Sequence, residues 1–378
     1  MRVLYIAHSS EIEGSGIALL NILKGVRDEG VEPFVILPRE GPFLSYLDRE
    51  GIRYCILKFL TSDYSTNTSL PKILYLFFAH FIINITAFLR IFLICKRRNI
   101  DIIHTNTGIV HLGFWVSLLL NKPHVWHLRE YQLKDFNMRP YCGFVIFKKL
   151  LSQKNNKCIA ITQGVFEEFK LDPQKDSVIY DGVASNAYTS IFQNKNDYFL
   201  FVGSLSENKG LLDLLNEYSS IANSVDTEMW LVGRDVIDVA KLIKERKLDD
   251  KVKYLGVRKD VYELMSKARA LIVPSKFEGF GFITAEAMLN HCLVIGRNTA
   301  GTKEQFDNGR EWTGTEIGIR FNNATELKEI LLNVSKCSIS NYSKTLESAY
   351  VSAKHYSIER NIECINNLYR KIWVNKHE

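Results

Sequence analysis

Apolar residues along this chain fall into short continuous runs, separated by segments where they recur every three or four positions. Arg2–Ala7 is nearly all apolar after its first residue, and Ile17, Leu20, Leu23 and Val26 follow at a spacing of three. A continuous run predicts a strand buried on both faces, and the spacing of three predicts the inner face of a helix. Pro33–Leu37, Ile100–His104, Val125–His127 and Cys158–Ile161 repeat the first pattern. The polar stretch Ser185–Asn196 reads as a linker. The alternation then restarts, with strands expected at Tyr198–Val202, Glu228–Val232, Val252–Leu255, Ala270–Val273 and Leu293–Ile295. Strands alternating with helices predict parallel sheets covered on both faces. The expectation is an α/β chain of two doubly wound, Rossmann-like domains, with a ligand cleft between them at the carboxyl ends of the strands. The domains are expected at 1–184 and 185–352. The amphipathic stretch from about Ala349 to Trp373 carries Ile358, Ile365, Leu368, Tyr369 and Ile372. A C-terminal helix over 353–378 is therefore expected to return to the first domain.

One segment breaks this rhythm. Leu70–Cys95 is apolar throughout apart from Lys72, His80, Asn84, Arg90 and a few small polar residues, and Lys96-Arg97-Arg98 follows it. It is long enough to span a bilayer. The polar interruptions and the soluble pattern around it argue against spanning. Beside that disfavoured spanning helix stand two further readings: a buried helix pair of the first domain, or an interfacial helix with exposed aromatics and basic flanks on the inner membrane surface.

Composition narrows the function classes. A chain of 378 residues with 46% hydrophobic and 24% charged residues is a well-packed globular protein, and its length fits two domains. The net charge of +6 suits an anionic ligand or an anionic membrane surface, and no motif for nucleic acid accompanies it. Seven cysteines without a C-x-x-C pair fit free thiols in a reducing cytoplasm. The start, a strand running into a turn, does not read as a signal peptide.

The most informative chemistry lies in Glu278-Gly-Phe-Gly-Phe-Ile-Thr-Ala-Glu286. The buried strand Ala270–Val273 precedes it and a helix from about Ile283 to Leu289 follows. Two glycines in a strand–loop–helix turn expose the backbone N–H groups of the helix start, which suit a phosphate. A carboxylate at each end of such a cradle suits hydroxyl groups. A sugar nucleotide has both chemistries. Gly203, which ends a strand, and Lys209-Gly210, near the next helix start, place a cation within reach of the same phosphates; the alternative is a solvated surface lysine. Gly14-Ser15-Gly16 follows the first strand as either a ligand loop or a tight turn. His127 ends a strand as either a cleft group or a packed histidine, and Arg129 and Glu130 beside it are a local ion pair or cleft groups. No Asp-x-Asp, G-x-S-x-G, H-E-x-x-H or Walker motif is present, so no metal and no cofactor are expected.

Together these residues resemble the retaining glycosyltransferases of family 4, which have the GT-B fold and include bacterial surface-polysaccharide enzymes. The likeness also takes in Val178-Ile-Tyr-Asp-Gly182, Leu231-Val-Gly233 and Gly301-Thr-Lys-Glu304. The resemblance implies a nucleotide-diphosphate-sugar donor and a saccharide or polyprenyl-linked acceptor. It implies that Glu286 binds the ribose hydroxyls, that Glu278 contacts the transferred sugar, and that backbone N–H groups of the Gly279, Phe280, Gly281 and Phe282 segment hold the diphosphate. Lys209 would neutralise the leaving group, His127 would approach the donor sugar, and Gly14 and Gly16 would admit phosphates to the backbone. By the same resemblance Gly203, Ser204, Gly233 and Arg234 would belong to the donor site. One departure stands out: the family usually has Arg directly after the glycine matching Gly203, and this chain has Ser204. Arg234, Arg129 and Arg258 are candidates for the second cation. A cytoplasmic enzyme, peripheral on the cytoplasmic face of the membrane, is the expectation. Its rivals are a non-catalytic GT-B subunit, which Ser204 favours, and a sugar-nucleotide epimerase, which the apolar surface of Leu70–Cys95 disfavours.

Overall fold

The computed structural model describes residues 1–12, 14–183 and 195–377. Most of the linker expected at Ser185–Asn196 therefore lies outside the described residues. The chain divides into two units: Met1–Gly182 with Ile358–Glu378, and Val183–Ser357.

The first unit is built on β1 (Arg2–Ile6), β2 (Glu32–Leu37), β3 (Arg53–Ile56), β4 (Asp63–Ser65), β5 (Ile102–Thr105), β6 (His124–Leu128), β7 (Met138–Pro140), β8 (Asn156–Ala160) and β9 (Ser177–Val178). Seven of these form one sheet in the order β3-β2-β1-β5-β6-β8-β9, and β4 pairs with β7 apart from it. All pairings in the large sheet are parallel. Its central strands are buried on both faces, which is why they read as unbroken apolar runs. The strand order reverses between β1 and β5, so the carboxyl ends of those strands flank the natural crevice of this sheet.

The second unit holds β10 (Tyr198–Val202), β11 (Glu228–Val232), β12 (Val252–Tyr254), β13 (Ala270–Val273), β14 (Leu293–Arg297) and β15 (Ile319–Phe321), all parallel, in the order β12-β11-β10-β13-β14-β15. Here the order reverses between β10 and β13. The two sequence motifs, Gly203–Gly210 and Glu278–Glu286, follow those two strands.

Two expectations need correction. The amphipathic C-terminal stretch is not one helix. A helix Ser343–Ala353 belongs to the second unit, a short turn Lys354–Tyr356 and an extended Ser357 follow, and the helix Ile358–His377 belongs to the first. Ser357 stands where an N-cap serine belongs, with φ −68° and ψ 154°. Apolar spacing runs across this break, so periodicity does not reveal it.

The second correction concerns Leu70–Cys95. It is a single helix, Leu70–Arg97, rather than a buried pair, and only Ala87, Ile91 and Cys95 are buried. It is the one helix among the described residues long and apolar enough to cross a membrane. The polar residues that interrupt it are used within the unit. Asn84 accepts from Leu60 N at 2.9 Å and donates to Leu60 O at 3.0 Å, and His80 Nδ1 lies 2.9 Å from Thr61 O. They fix the helix to the loop before β4.

The final helix seals the first unit by close packing on the helix Gly14–Asp28. A Cβ added at Gly25 would overlap the Ile362 side chain. Gly25→Ala should therefore destabilise the first unit by about 1–3 kcal/mol through overpacking, and adding Ile362→Ala should recover part of the loss. Thermal unfolding of the single and double variants checks this; additive losses would show that the two positions do not meet.

Candidate active site

In the second unit, the carboxyl ends of three strands meet where no side chain fits. Gly203 N donates to Val232 O at 2.9 Å and Leu205 N donates to Arg234 O at 2.9 Å, so the turns after β10 and β11 run side by side. Gly233, at φ +142°, faces the Gly203 carbonyl so closely that a Cβ would overlap it. Gly210, at φ +73°, leads into the helix Leu211–Ser219, and a Cβ there would overlap the Pro274 carbonyl. The loop after β10 is thus pressed against the end of β13. This contact, with Lys276 N donating to Asn208 O at 3.2 Å, sets Lys209 against the next loop. Lys209 Nζ donates to Glu278 Oε1 at 2.7 Å. The two side chains are 35% and 15% exposed. An ion pair this accessible contributes about 1 kcal/mol or less to stability, so the arrangement is to be understood through what it can bind.

The Glu278–Phe282 loop is braced from behind by the helix Ala300–Thr313. Gly301 N donates to Glu278 O at 3.0 Å. Gln305 Nε2 donates to Phe280 O at 2.7 Å and to Gly281 O at 3.0 Å. A trans peptide points its C=O and N–H in opposite directions. With the carbonyls of residues 280 and 281 held to the brace, the N–H groups of Gly281 and Phe282 point away from it. Gly281, at φ +86°, caps the helix Phe282–Leu289, whose first-turn N–H groups add to the cradle. Phe280 is buried against Phe282 and Tyr356. The brace has no spare room: a Cβ on Gly301 would overlap the Phe280 carbonyl, and Ala300 is held at φ +44°.

One turn into that helix, Glu286 Oε1 accepts a hydrogen bond from Tyr262 Oη at 3.1 Å. Burial pushes the Glu286 carboxyl above its ordinary range, and Tyr262 opposes the shift. Burial and the facing carboxylate push the Tyr262 phenol up in turn. Tyr262 sits on a separate helix, Val261–Lys267, and no local motif marks it. Of the residues considered for the second cation, Arg258 forks onto Asp260 at 2.8 and 2.6 Å, and Arg129 lies in the other unit. Arg234 stands beside Ser204, since its carbonyl accepts from Leu205 N.

The first unit builds a different kind of site at its own strand ends. Asn106, after β5, donates through Nδ2 to Ser15 O at 3.2 Å and accepts through Oδ1 from Arg129 Nε at 3.2 Å. Gly16 packs on the Glu11 carbonyl, where a Cβ would clash, and the space around Gly14 is open. Arg129 pairs with Asp181, buried on both sides, rather than with Glu130. Glu130 instead accepts from Gly108 N at 2.8 Å, and burial with Asp135 nearby pushes its pKa up to about 8. The adjacent-pair reading of Arg129 and Glu130 is thereby corrected, because successive residues point to opposite sides of an extended chain.

His127 is fully buried in this network. Its Nδ1 lies 3.3 Å from the Arg129 guanidinium and 3.3 Å from His104 Nε2. His104 Nδ1 lies 2.6 Å from Tyr369 Oη, which lies 2.9 Å from Tyr5 Oη. A guanidinium only donates, so Nδ1 of His127 accepts and its proton resides on Nε2. Nε2 is buried with no partner among the described residues. Burial and the Arg129 charge hold His127 and His104 well below the ordinary histidine range, and both are neutral. No three His, Cys, Asp or Glu side chains among the described residues converge as a metal site.

Comparison with known proteins follows the same two units. Residues 12–186 match the model described as Glycosyltransferase Family 4, and residues 196–336 match Glycosyl transferases group 1. The capsular polysaccharide biosynthesis glycosyltransferase CapH of Staphylococcus aureus is 22% identical over 55% of this chain and 62% of its own length. The alignment thus spans about three fifths of that relative. The UDP-Gal:alpha-D-GlcNAc-diphosphoundecaprenol alpha-1,3-galactosyltransferase of Escherichia coli is 22% identical over 97% of this chain and 99% of its own. Among solved structures, Anabaena HepE in complex with UDP superposes with a TM-score of 0.74 at 20% identity, covering 98% of this chain and 100% of that one. The likeness shows the GT-B fold.

Two outcomes follow from the geometry. Gly301→Ala should push the Glu278–Phe282 loop off its brace and weaken nucleotide binding at least tenfold while the second unit stays folded; calorimetric titration and circular dichroism check it, and unchanged affinity would mean the brace is not needed. Burial lowers His8, His111 and His124 from the ordinary 6.5 to about 4, and holds His104 and His127 well below the ordinary histidine range. The unfolded chain binds more protons there, so stability present above pH 6.5 is lost as pH falls towards 4, by up to about 1.4 kcal/mol per pH unit for each histidine. Glu130, raised to about 8, and Asp135, raised to about 6, act in the opposite direction, as do Asp63, Asp181 and Glu286, whose carboxyls burial also raises; the histidines, which titrate near 6.5 in the unfolded chain, set the net sign between pH 6.5 and pH 5. Melting temperature should fall between pH 6.5 and pH 5, and a flat profile there would show that the histidines are not held neutral.

Proposed function

The chain belongs to glycosyltransferase family 4, and on that basis we propose that it is a retaining glycosyltransferase. It moves a sugar from a nucleotide-diphosphate donor to a saccharide or lipid-linked saccharide, in bacterial surface-polysaccharide assembly. The observation that carries this reading is the Lys209–Glu278 contact beside a cradle of backbone N–H groups at the strand-order reversal of the second unit.

In this mechanism Glu286, oriented by Tyr262, accepts hydrogen bonds from the ribose hydroxyls. The diphosphate lies on the Gly281 and Phe282 N–H groups and draws Lys209 away from Glu278. The freed carboxylate then meets the hydroxyls of the transferred sugar. The bond between the anomeric carbon and the diphosphate oxygen breaks, its electron pair leaves with the diphosphate, and positive charge develops at carbon near Glu278. Lys209 and the backbone N–H groups stabilise the charge on the leaving group. The acceptor oxygen attacks from the same face, and its proton passes to the departing phosphate oxygen. No strong protein base is required. His127, neutral and carrying its proton on Nε2, is suited to donate to a hydroxyl oxygen rather than to remove a proton. We propose that no metal takes part.

A lipid-linked acceptor fits the apolar helix Leu70–Arg97 and the lipid-linked substrate in the E. coli relative's name. We place the working protein on an anionic membrane surface. Ser204 favours a second reading, a non-catalytic subunit that has lost one phosphate contact.

Two measurements separate these readings. In a thermal-shift panel of UDP, GDP, ADP and CMP, one nucleoside diphosphate should stabilise the protein, by about 2.7 kcal/mol at a hundredfold excess over Kd. The shift should vanish in Glu286→Ala. Glu278→Gln should keep that shift and lower donor turnover at least a hundredfold, about 2.7 kcal/mol of barrier, with turnover of the parent unchanged by EDTA. A nucleotide shift without turnover in the parent would support the non-catalytic reading. No shift with any nucleotide would count against an intact donor site and favour the non-catalytic reading, with Ser204 as its cause.

A further inference from the structure

The donor chemistry leaves a groove of about 710 Å3 in the first unit unused. It follows the inner face of the helix Leu70–Arg97. Along the C-terminal half of that face, Ala87, Ile91 and Cys95 fill the core. Along the N-terminal half, Phe77, Phe81, Ile85 and Phe88 wall an open space instead, with Leu112 and Trp115 of the helix Leu112–Leu120 opposite. The volume is that of a small-molecule site.

The lining chemistry selects the occupant. The polar side chains along the helix are committed to the chain's own backbone, Asn84 to Leu60 and His80 to Thr61, so a polar ligand gains little there. What remains is mainly aliphatic and aromatic surface, with Ser62, His111, Tyr141 and Cys142 at its polar points. The charged residues on the helices around it have one sign, while Asp63, buried beside His80 and Tyr141, is the acidic residue next to the lining. The helices Leu70–Arg97 and Leu112–Leu120, and Gly143–Leu151, which begins at the groove's edge, contain no acidic residue. They carry Lys72, Arg90, Lys96, Arg97, Lys148 and Lys149. An apolar trough carried by helices whose charged residues are all cationic complements an amphiphile with a hydrocarbon chain and an anionic head. The outer face of the same helix exposes Leu74, Tyr75, Phe78, Ile82 and Leu89. Laid in the plane of an anionic membrane surface, that face would give a lipid chain a dry path into the groove.

We propose that this groove binds the hydrocarbon chain of the anionic lipid that carries the acceptor saccharide. The proposal rests on the glycosyltransferase reading for the identity of the lipid, while the groove itself is testable without turnover.

The probe is geranylgeranyl diphosphate, titrated into the full chain below its micellar concentration. Binding should saturate at one molecule per chain and blue-shift tryptophan emission, a change missing in Trp115→Phe. Ile85→Trp, which fills the groove, and Phe81→Asp, which makes it polar, should each weaken binding at least tenfold. Both positions are exposed, so both variants should fold and keep the parent's response to UDP. Equal affinity for inorganic diphosphate, or undiminished binding by both variants, would overturn the proposal. So would partitioning onto anionic vesicles with no saturable site. A dimer in sedimentation that Phe81→Asp dissociates would assign the face to a second copy of the chain and overturn it as well. Lipid binding without any nucleotide response would retain the groove and count against the glycosyltransferase reading.

Discussion

Backbone packed directly on backbone is the constraint behind the second unit's site. Gly233 lies on the Gly203 carbonyl, Gly210 on the Pro274 carbonyl and Gly301 on the Phe280 carbonyl. Each contact excludes a Cβ, so the three loops are located by sterics rather than by side chains that can rotate. Interiors this dense do not yield gradually. Lys209 and Glu278, 69 residues apart in the chain, meet because these glycines set their loops edge to edge. The proposed mechanism needs such rigidity, since a cradle of N–H groups stabilises a developing charge only if it is already pointed when the charge appears.

The first unit solves the opposite problem. It buries ionisable groups and keeps them neutral or paired. Arg129 is the one cation within its network, and Asp181 and Asn106 take up its donors. Burial, with that positive charge beside it, holds the neighbouring imidazoles well below the ordinary histidine range. A neutral imidazole with its acceptor nitrogen occupied is a fixed donor. Under the proposed mechanism such a group would position a hydroxyl-rich ligand without competing with it for protons.

The legibility of this chain follows from which interactions are local. Parallel core strands announce themselves because both faces are buried, and β1, β10 and β13 were all readable as apolar runs. The short edge strands β3 and β15 were not, because half-solvated positions break the run. The Leu70–Arg97 helix was legible as a helix. Its burial was not, because an apolar surface looks the same in sequence whether protein or another medium covers it. The break at Lys354–Ser357 left no trace, since residues on either side keep helical spacing while serving different units. At the sites, glycines and carboxylates at strand ends could be located from topology alone. Asn106, Asp181, His104 and Tyr262 could not. Each is a lone polar residue whose partner is set by strand register or helix packing far along the chain.

The return of the helix Ile358–His377 to the first unit has a consequence for how the chain is made. The first unit's sheet is complete by Val178, yet the Tyr369 hydroxyl that closes the Tyr5 and His104 network is added about 190 residues later. During synthesis at about 5–20 residues per second, the second unit has all its strands while the first still lacks a helix over its core. The usual order, N-terminal domain first, is inverted here. For roughly 1–4 seconds the emerging chain carries a finished inner domain inside an unfinished outer one, with Tyr5, Leu19 and Val26 awaiting their cover. Chaperone demand in the cell should therefore concentrate on the beginning of this protein, and be relieved only by its end.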